Sequence, residues 1–217
     1  MSHKEDIGES LQKFPEKKKR GFFSKAYHRF FRGYSEVVVP NKSGKGTRIE
    51  RIYTDDYYRQ DLDRKNRIVI RVVYVVFFVC SVFLFVRGAI YPHRINTIIY
   101  VTVPQAIGVG FLFWIFVIFY NYLPAPEEMT IAEYTRSSRY LLVASLGATI
   151  TLVALALVSI LFIILNPSGE LFPLMLIVFE YLLAATFLLG INLLEKRIKY
   201  ISYPSENKAP EEGYEIE

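Results

Sequence analysis

The sequence predicts an all-α integral membrane protein in which four transmembrane helices form a bundle, preceded by a basic cytoplasmic arm that contains an amphipathic interfacial helix. Two observations predict this fold class. Apolar residues make up 52% of the 217 residues, and they are concentrated in four long blocks that carry almost no charge. Each block is about as long as the roughly 20 apolar residues that a helix needs to cross a bilayer. Lys and Arg, by contrast, are concentrated before and between the blocks.

Backbone groups inside a bilayer have no water to bind, so each apolar block is expected to form a helix. We expect a helical domain over residues 67–195, with spans at about 68–86, 95–121, 138–165 and 171–194. The third helix is expected to begin ahead of its span, near Ile131, because Thr130 and Glu133 have the spacing of a capping box.

The distribution of Lys and Arg around the spans predicts the orientation. Twelve of these residues lie within 48–67, 121–139 and 195–217, which the four spans place on one side of the membrane. Only Arg87 and Arg94 lie on the other side. We therefore expect both termini in the cytoplasm. The outer connections are short and carry no glycosylation sequon, which favours a bacterial plasma membrane.

The arm over residues 1–66 carries most of the positive charge. Residues 1–67 hold 17 of the 26 Lys and Arg but only 10 of the 21 Asp and Glu. A basic segment beside a membrane is expected to bind anionic lipid headgroups. A helix over about 21–34 would place aromatic rings on one stripe and cations opposite, the pattern of an interfacial helix. The residues expected at the lipid interface are Lys17, Lys18, Lys19, Arg20, Phe22, Phe23, Tyr27, Phe30 and Phe31.

The aromatic stripe has two other interpretations. It could dock on a partner protein, or its interleaved cations and rings could bind nucleic acid. Lipid is already adjacent, so we expect no nucleic-acid partner. Farther along the chain, a valine-rich run and a glycine-containing turn predict a small hairpin over about 37–53. Residues 196–217 lack apolar periodicity at their end, and we expect a disordered cytoplasmic tail there.

Four polar residues fall inside the spans at similar predicted depth: Glu180, Gln105, Ser159 and Cys80. At 1.5 Å per residue they lie roughly 9–13 Å from the outer surface. We expect them to form an intramembrane polar cluster, with Glu180 paired to Gln105. Three roles are open for Glu180: interhelical packing, binding of a proton or cation in a transport path, and pairing with a cation on another subunit.

The residue inventory argues against an enzyme. A single cysteine excludes an intramolecular disulfide and Cys-cluster metal sites, and the three histidines are scattered. No hydrolase, zinc-protease or dinucleotide-binding motif is present, so we expect neither a catalytic site nor a metal or cofactor. The sequence favours a non-enzymatic multi-pass membrane protein, an integral subunit or assembly factor that binds a membrane-protein partner or a second copy. The alternative is a small transporter or channel subunit that uses Glu180.

Overall fold

The computed structural model describes residues 33–40, 47–166 and 171–205. Four helices dominate this part of the chain, and each is long and apolar enough to cross a membrane. The prediction of four such helices is thereby confirmed. They are α1 (Arg64–Ile90), α2 (Ile99–Tyr122), α3 (Ile131–Leu165) and α4 (Leu171–Arg197).

Local signals fix several helix ends. The capping box predicted at the start of α3 is present: the Thr130 side chain accepts a hydrogen bond from the Glu133 backbone N–H, and the Glu133 side chain binds the Thr130 backbone N–H in return. Ahead of α2, the His93 side chain accepts from the Ile95 backbone N–H and opens a short 3-10 turn over Arg94–Thr97. One segment near the start of α3, Thr135–Arg139, is wound as a π-helix.

The helices pack along three main contacts: α3 with α4, α4 with α1, and α2 with α3. Small side chains let helix backbones approach closely, and α3 and α4 both bury alanines. Two glycines leave space for an aromatic ring of a neighbouring helix. Gly190 in α4 faces the Phe77 ring of α1, and Gly147 in α3 faces the Phe111 ring of α2. The buried alanines are Ala144, Ala148 and Ala156 on α3 and Ala184 and Ala185 on α4.

Large apolar side chains also cover the outward faces of all four helices. Phe83 on α1 is 63% exposed, Phe113 on α2 66%, Ile150 on α3 61% and Phe172 on α4 81%. A soluble monomer rarely exposes apolar patches of this extent. Outward faces of this composition are compatible with helices that cross a membrane.

Within the described residues five short strands accompany the helices, and the prediction included a hairpin but not the second sheet. Strands β1 (Tyr34–Pro40) and β2 (Thr47–Tyr53) form an antiparallel hairpin in the region where the sequence predicts one. Strands β3 (Tyr57–Gln60), β4 (Glu128–Met129) and β5 (Tyr200–Tyr203) form a second antiparallel sheet in the order β4-β3-β5. We call this second sheet the cap sheet.

The cap sheet gathers three segments that are distant in sequence. β3 precedes α1, β4 joins α2 to α3, and β5 follows α4. Its pairing aligns Tyr58 with Met129 and Gln60 with Tyr200. The cap sheet therefore marks one end of the helices, the cap end, where α1 and α3 begin and α2 and α4 finish. We call the opposite end the far end.

Two predictions about the termini compare differently with the structure. The expected disordered tail over 196–217 is corrected in its first part, because α4 continues to Arg197 and Tyr200–Tyr203 forms β5. This strand is stabilised by pairing with β3, a long-range contact that local composition does not encode. The proposed helix over about 21–34 and its lipid-interface residues lie outside the described residues, except that Gly33 lies in a turn and Tyr34 starts β1.

Candidate functional site: buried polar clusters

The buried carboxylate predicted at membrane depth, Glu180, is paired with a cation of the same chain. Glu180 is 2% exposed, and its Oε1 lies 2.8 Å from Nε of Arg87, whose side chain is half exposed. Among the described residues, its second oxygen, Oε2, has no hydrogen-bond partner. The ion pair joins α4 to α1 near the far end.

Gln105 has different partners from the expected one. Its Nε2 donates to Oδ1 of Asn96 and to the hydroxyl of Tyr181, each at 2.9 Å. The Asn96 amide in turn donates to the backbone carbonyls of Gly88 and Tyr91. We call Asn96, Gln105 and Tyr181 the far-end network. It ties α2 to α4 and to the end of α1, and within the described residues no hydrogen bond links Gln105 directly to Glu180.

The other two predicted members also lie apart from Glu180. The Ser159 hydroxyl donates to the Leu155 carbonyl of its own helix at 2.8 Å, and Cys80 is a free, half-buried thiol. The neighbouring Ser81 makes the interhelical bond instead, because its hydroxyl donates to the Ala184 carbonyl of α4 at 3.1 Å. Similar predicted depth thus does not place these side chains together, since depth along a helix does not determine which face of the helix a residue occupies.

A second buried carboxylate, Glu195, lies at the cap end and is 2% exposed. Its Oε2 accepts hydrogen bonds from the hydroxyls of Tyr74 at 2.9 Å and Tyr122 at 3.0 Å. Its Oε1 accepts from the hydroxyl of Tyr200 at 2.7 Å. The Gln60 amide donates to the oxygens of Tyr122 and Tyr200 at 3.1 and 2.9 Å. We call these five residues the Glu195 cluster.

Every hydroxyl of the Glu195 cluster has a hydrogen-bond acceptor within the cluster. Three phenolic protons point at the carboxyl oxygens, and the two protons of the Gln60 amide point at two phenolic oxygens. Each hydroxyl and each amide N–H of the cluster therefore has an acceptor. Because a buried polar group costs free energy unless it is hydrogen-bonded, these bonds offset much of the cost of burying the carboxyl group.

The Glu195 cluster connects the cap sheet to the helices. Gln60 comes from β3 and Tyr200 from β5, while Tyr74, Tyr122 and Glu195 come from α1, α2 and α4. Burial, followed by the neighbouring Glu195 charge, raises the pKa of the Tyr200 phenol above its ordinary value of 10.0. The proton that Tyr200 donates to Glu195 is therefore held tightly.

The sequence contains a signal for this cluster that the prediction did not use. Glu195 falls one residue beyond the predicted fourth span, at the last residue of the expected helical domain, and the predicted polar cluster does not include it. It nevertheless continues the buried stripe of α4, since it follows Ile191 by four residues and Asn192 by three, and both are buried. Its tyrosine partners come from elements that are far apart in the sequence, so the sequence alone does not show that they meet.

Two arginines near the start of α1 hold the α2–α3 connection. Arg71 donates to the carbonyls of Leu123 at 2.7 Å and Ala125 at 2.9 Å, just past the end of α2. Cations are favourable there because the carbonyls at a helix C-terminus lack intrahelical partners. Arg67, which is 7% exposed, pairs with Glu127 at 2.6 Å. These contacts position β4 beside β3.

Chemically, these arrangements pair charges and satisfy hydrogen bonds. Among the described residues, no group of three or more His, Cys, Asp or Glu side chains is placed to hold a metal ion. No protein-family model, curated protein or solved structure matches this chain. Any function must therefore be inferred from the residues themselves.

Proposed function

We propose that this chain is a non-enzymatic multi-pass membrane protein, an integral subunit or assembly factor of a membrane complex. In this proposal the four helices cross a bacterial plasma membrane as a bundle. The cap sheet and both termini face the cytoplasm, where they meet a membrane-protein partner or a second copy. The basic arm contacts anionic lipid headgroups on the same side.

The observation that carries the proposal is the internal pairing of the buried charged side chains. Glu180 pairs with Arg87, and Glu195 receives three phenolic hydrogen bonds. A transport path needs ionisable groups that exchange their partners with a passing ion, whereas groups paired within one chain hold helices in register. These contacts support a structural role for both carboxylates.

The outward face of the cap sheet supports the interaction role. A cleft of about 640 Å³ lies between this face and the β3–α1 connection, and polar side chains including Arg59, Asp61, Asp63 and Glu128 line it. In the proposed orientation this face is in the cytoplasm. A partner can reach it without entering the bilayer.

Co-purification in mild detergent tests the proposal. We expect the tagged full chain to retain a partner in fixed ratio, or to migrate as an oligomer of defined mass. We expect deletion of residues 1–32 to abolish or strongly weaken that association while the chain stays in the membrane fraction. A matched control replaces Arg64 and Lys65 by Gln, which removes two exposed cations outside the deleted segment. A full chain that purifies alone as a monomer would contradict the proposal.

A second candidate function is a small transporter or channel subunit in which Glu180 binds a proton or cation. The observation in its favour is Glu180 Oε2, which is buried and has no hydrogen-bond partner among the described residues. Reconstituted liposomes containing a pH-sensitive dye separate the two functions. Transport predicts flux that Glu180→Gln abolishes and that the exposed-site control Glu133→Gln retains. The subunit proposal predicts the same background leak for all three proteins.

A further inference from the structure

A groove between α1 and α4 at the cap end combines cations with apolar side chains. Its volume is about 260 Å³. Arg197 and Lys199 contribute positive charge and Asp61 one negative charge, so the charged lining is net positive. The remaining lining is apolar and consists of Leu62, Ile70, Leu194 and Ile198. We call this feature the α1–α4 groove.

The cations of the groove are available to a ligand. Both Arg197 and Lys199 are exposed, and neither side chain has an ion-pair partner within the part of the chain that the structure describes. Lys199 is held through its backbone carbonyl, which accepts from the Asp61 backbone N–H at 2.9 Å. The two side chains can therefore converge on one anionic group without breaking an existing contact.

The apolar part of the groove lies at the depth expected for acyl chains. Ile70 is six residues into α1 from Arg64, about 9 Å along the helix, and Leu194 lies about 4.5 Å before Arg197. Beside them, Val69 is 58% exposed and Leu193 is 49% exposed. The groove thus passes from cations at its rim to continuous apolar helix surface, which is the order of groups along a phospholipid.

We propose that the α1–α4 groove binds an anionic phospholipid, with the phosphate between Arg197 and Lys199 and the first part of an acyl chain against Ile70 and Leu194. A soluble phosphate compound would leave the apolar lining bare, and a neutral lipid would leave the net positive charge unmatched. The inference rests on the proposed orientation, in which the cap end meets the cytoplasmic leaflet, but not on the identity of a protein partner.

Native mass spectrometry of the full chain, released from a bilayer of equal phosphatidylglycerol and phosphatidylcholine, tests the site. We expect retained lipid to be enriched in phosphatidylglycerol. Each cation near an anionic lipid contributes about fivefold in affinity. The variant R197Q/K199Q is therefore expected to lose about 25-fold in preference for phosphatidylglycerol, whereas R64Q/K65Q, with the same change in charge outside the groove, keeps it.

A second variant tests the apolar part with the charges intact. Leu194→Trp fills the groove, and we expect it to lower retention of phosphatidylglycerol while added glycerol 3-phosphate fails to compete in the wild-type chain. Equal retention of the two lipids by the wild type would overturn the inference, as would equal losses in the groove and control variants. So would a dimer that covers the groove and excludes lipid. A chain extracted by alkaline wash would contradict the membrane proposal itself, which separates the two failures.

Discussion

Glu180 and Glu195 are equally buried, yet the chain stabilises them by different means. Glu180 pairs with Arg87, whose half-exposed side chain can extend toward the membrane surface. Glu195 has three phenolic donors, and among the described residues no cation pairs with it. At the residue scale, the Glu195 cluster makes the larger contribution to stability, because removing Glu195 takes the acceptor from three phenolic hydroxyls, two of which belong to buried tyrosines.

We predict that Glu195→Ala lowers stability by about 3–5 kcal/mol, since each unsatisfied buried hydroxyl costs about 1–3 kcal/mol. Tyr200→Phe removes one donor and is expected to cost about 1–2 kcal/mol. The measurement is thermal unfolding in detergent. The matched control is Lys196→Ala, at the exposed neighbouring position, which is expected to stay within about 0.5 kcal/mol of the wild type. Equal effects of Glu195→Ala and the control would contradict this role of the cluster.

A pH dependence follows from the pKa of Tyr200, which burial and then the Glu195 charge raise above the ordinary 10.0. The folded state binds this proton more tightly than the unfolded chain does, so the associated stability is present below about pH 10 and is lost as pH rises through the folded-state pKa. We predict that Tm falls more between pH 8 and pH 11 in the wild type than in Tyr200→Phe. Parallel decreases in the two proteins would show that Tyr200 does not contribute.

At the scale of elements, the helices are held together by aromatic rings packed against glycines as well as by hydrogen bonds and an ion pair. A methyl group added at Gly190 would lie 2.8 Å from a carbon of the Phe77 ring, closer than side chains tolerate. At Gly110, on α2, a methyl group would meet nothing within 4 Å. The two glycines therefore have opposite roles although both lie within helices.

We predict that the same substitution, glycine to alanine, changes stability in opposite directions at these two positions. Gly190→Ala is expected to destabilise the α1–α4 contact by about 1–3 kcal/mol, the usual cost of overpacking. Gly110→Ala is expected to leave stability unchanged or to raise it by up to about 1 kcal/mol, because alanine favours a helix over glycine. Thermal unfolding of both variants under one set of conditions is the measurement. A Gly190→Ala chain as stable as Gly110→Ala would show that the Phe77 ring does not pack against Gly190.

The elements differed in how far the sequence could predict them. The helices are visible because apolar length and the absence of charge are local properties, and the Thr130–Glu133 capping box is a local pattern that the structure confirms. The cap sheet is not local, because the two residues of β4 gain strand geometry only from β3. The partners of the polar side chains could not be predicted either. The depth of a residue along its helix follows from its position in the sequence, but whether Gln105 meets Asn96 and Tyr181 depends on how the helices are rotated about their axes.

At the scale of the whole molecule, the cap sheet and the Glu195 cluster make the cap end one connected unit. The sheet joins the chain before α1, between α2 and α3, and after α4, and the cluster binds two of its strands to three helices. The far end carries short connections and the far-end network. In the proposed orientation, the molecule therefore presents its ordered polar surface to the cytoplasm.

Single-cysteine labelling tests this central claim most directly. In a Cys80→Ser background, Arg94→Cys places a thiol at the exposed far end and Ser202→Cys places one on exposed β5. With a membrane-impermeant maleimide, we predict that Arg94→Cys is labelled in intact cells and that Ser202→Cys is labelled only after the membrane is permeabilised. Labelling of both thiols in intact cells, or of neither before permeabilisation, would contradict the account.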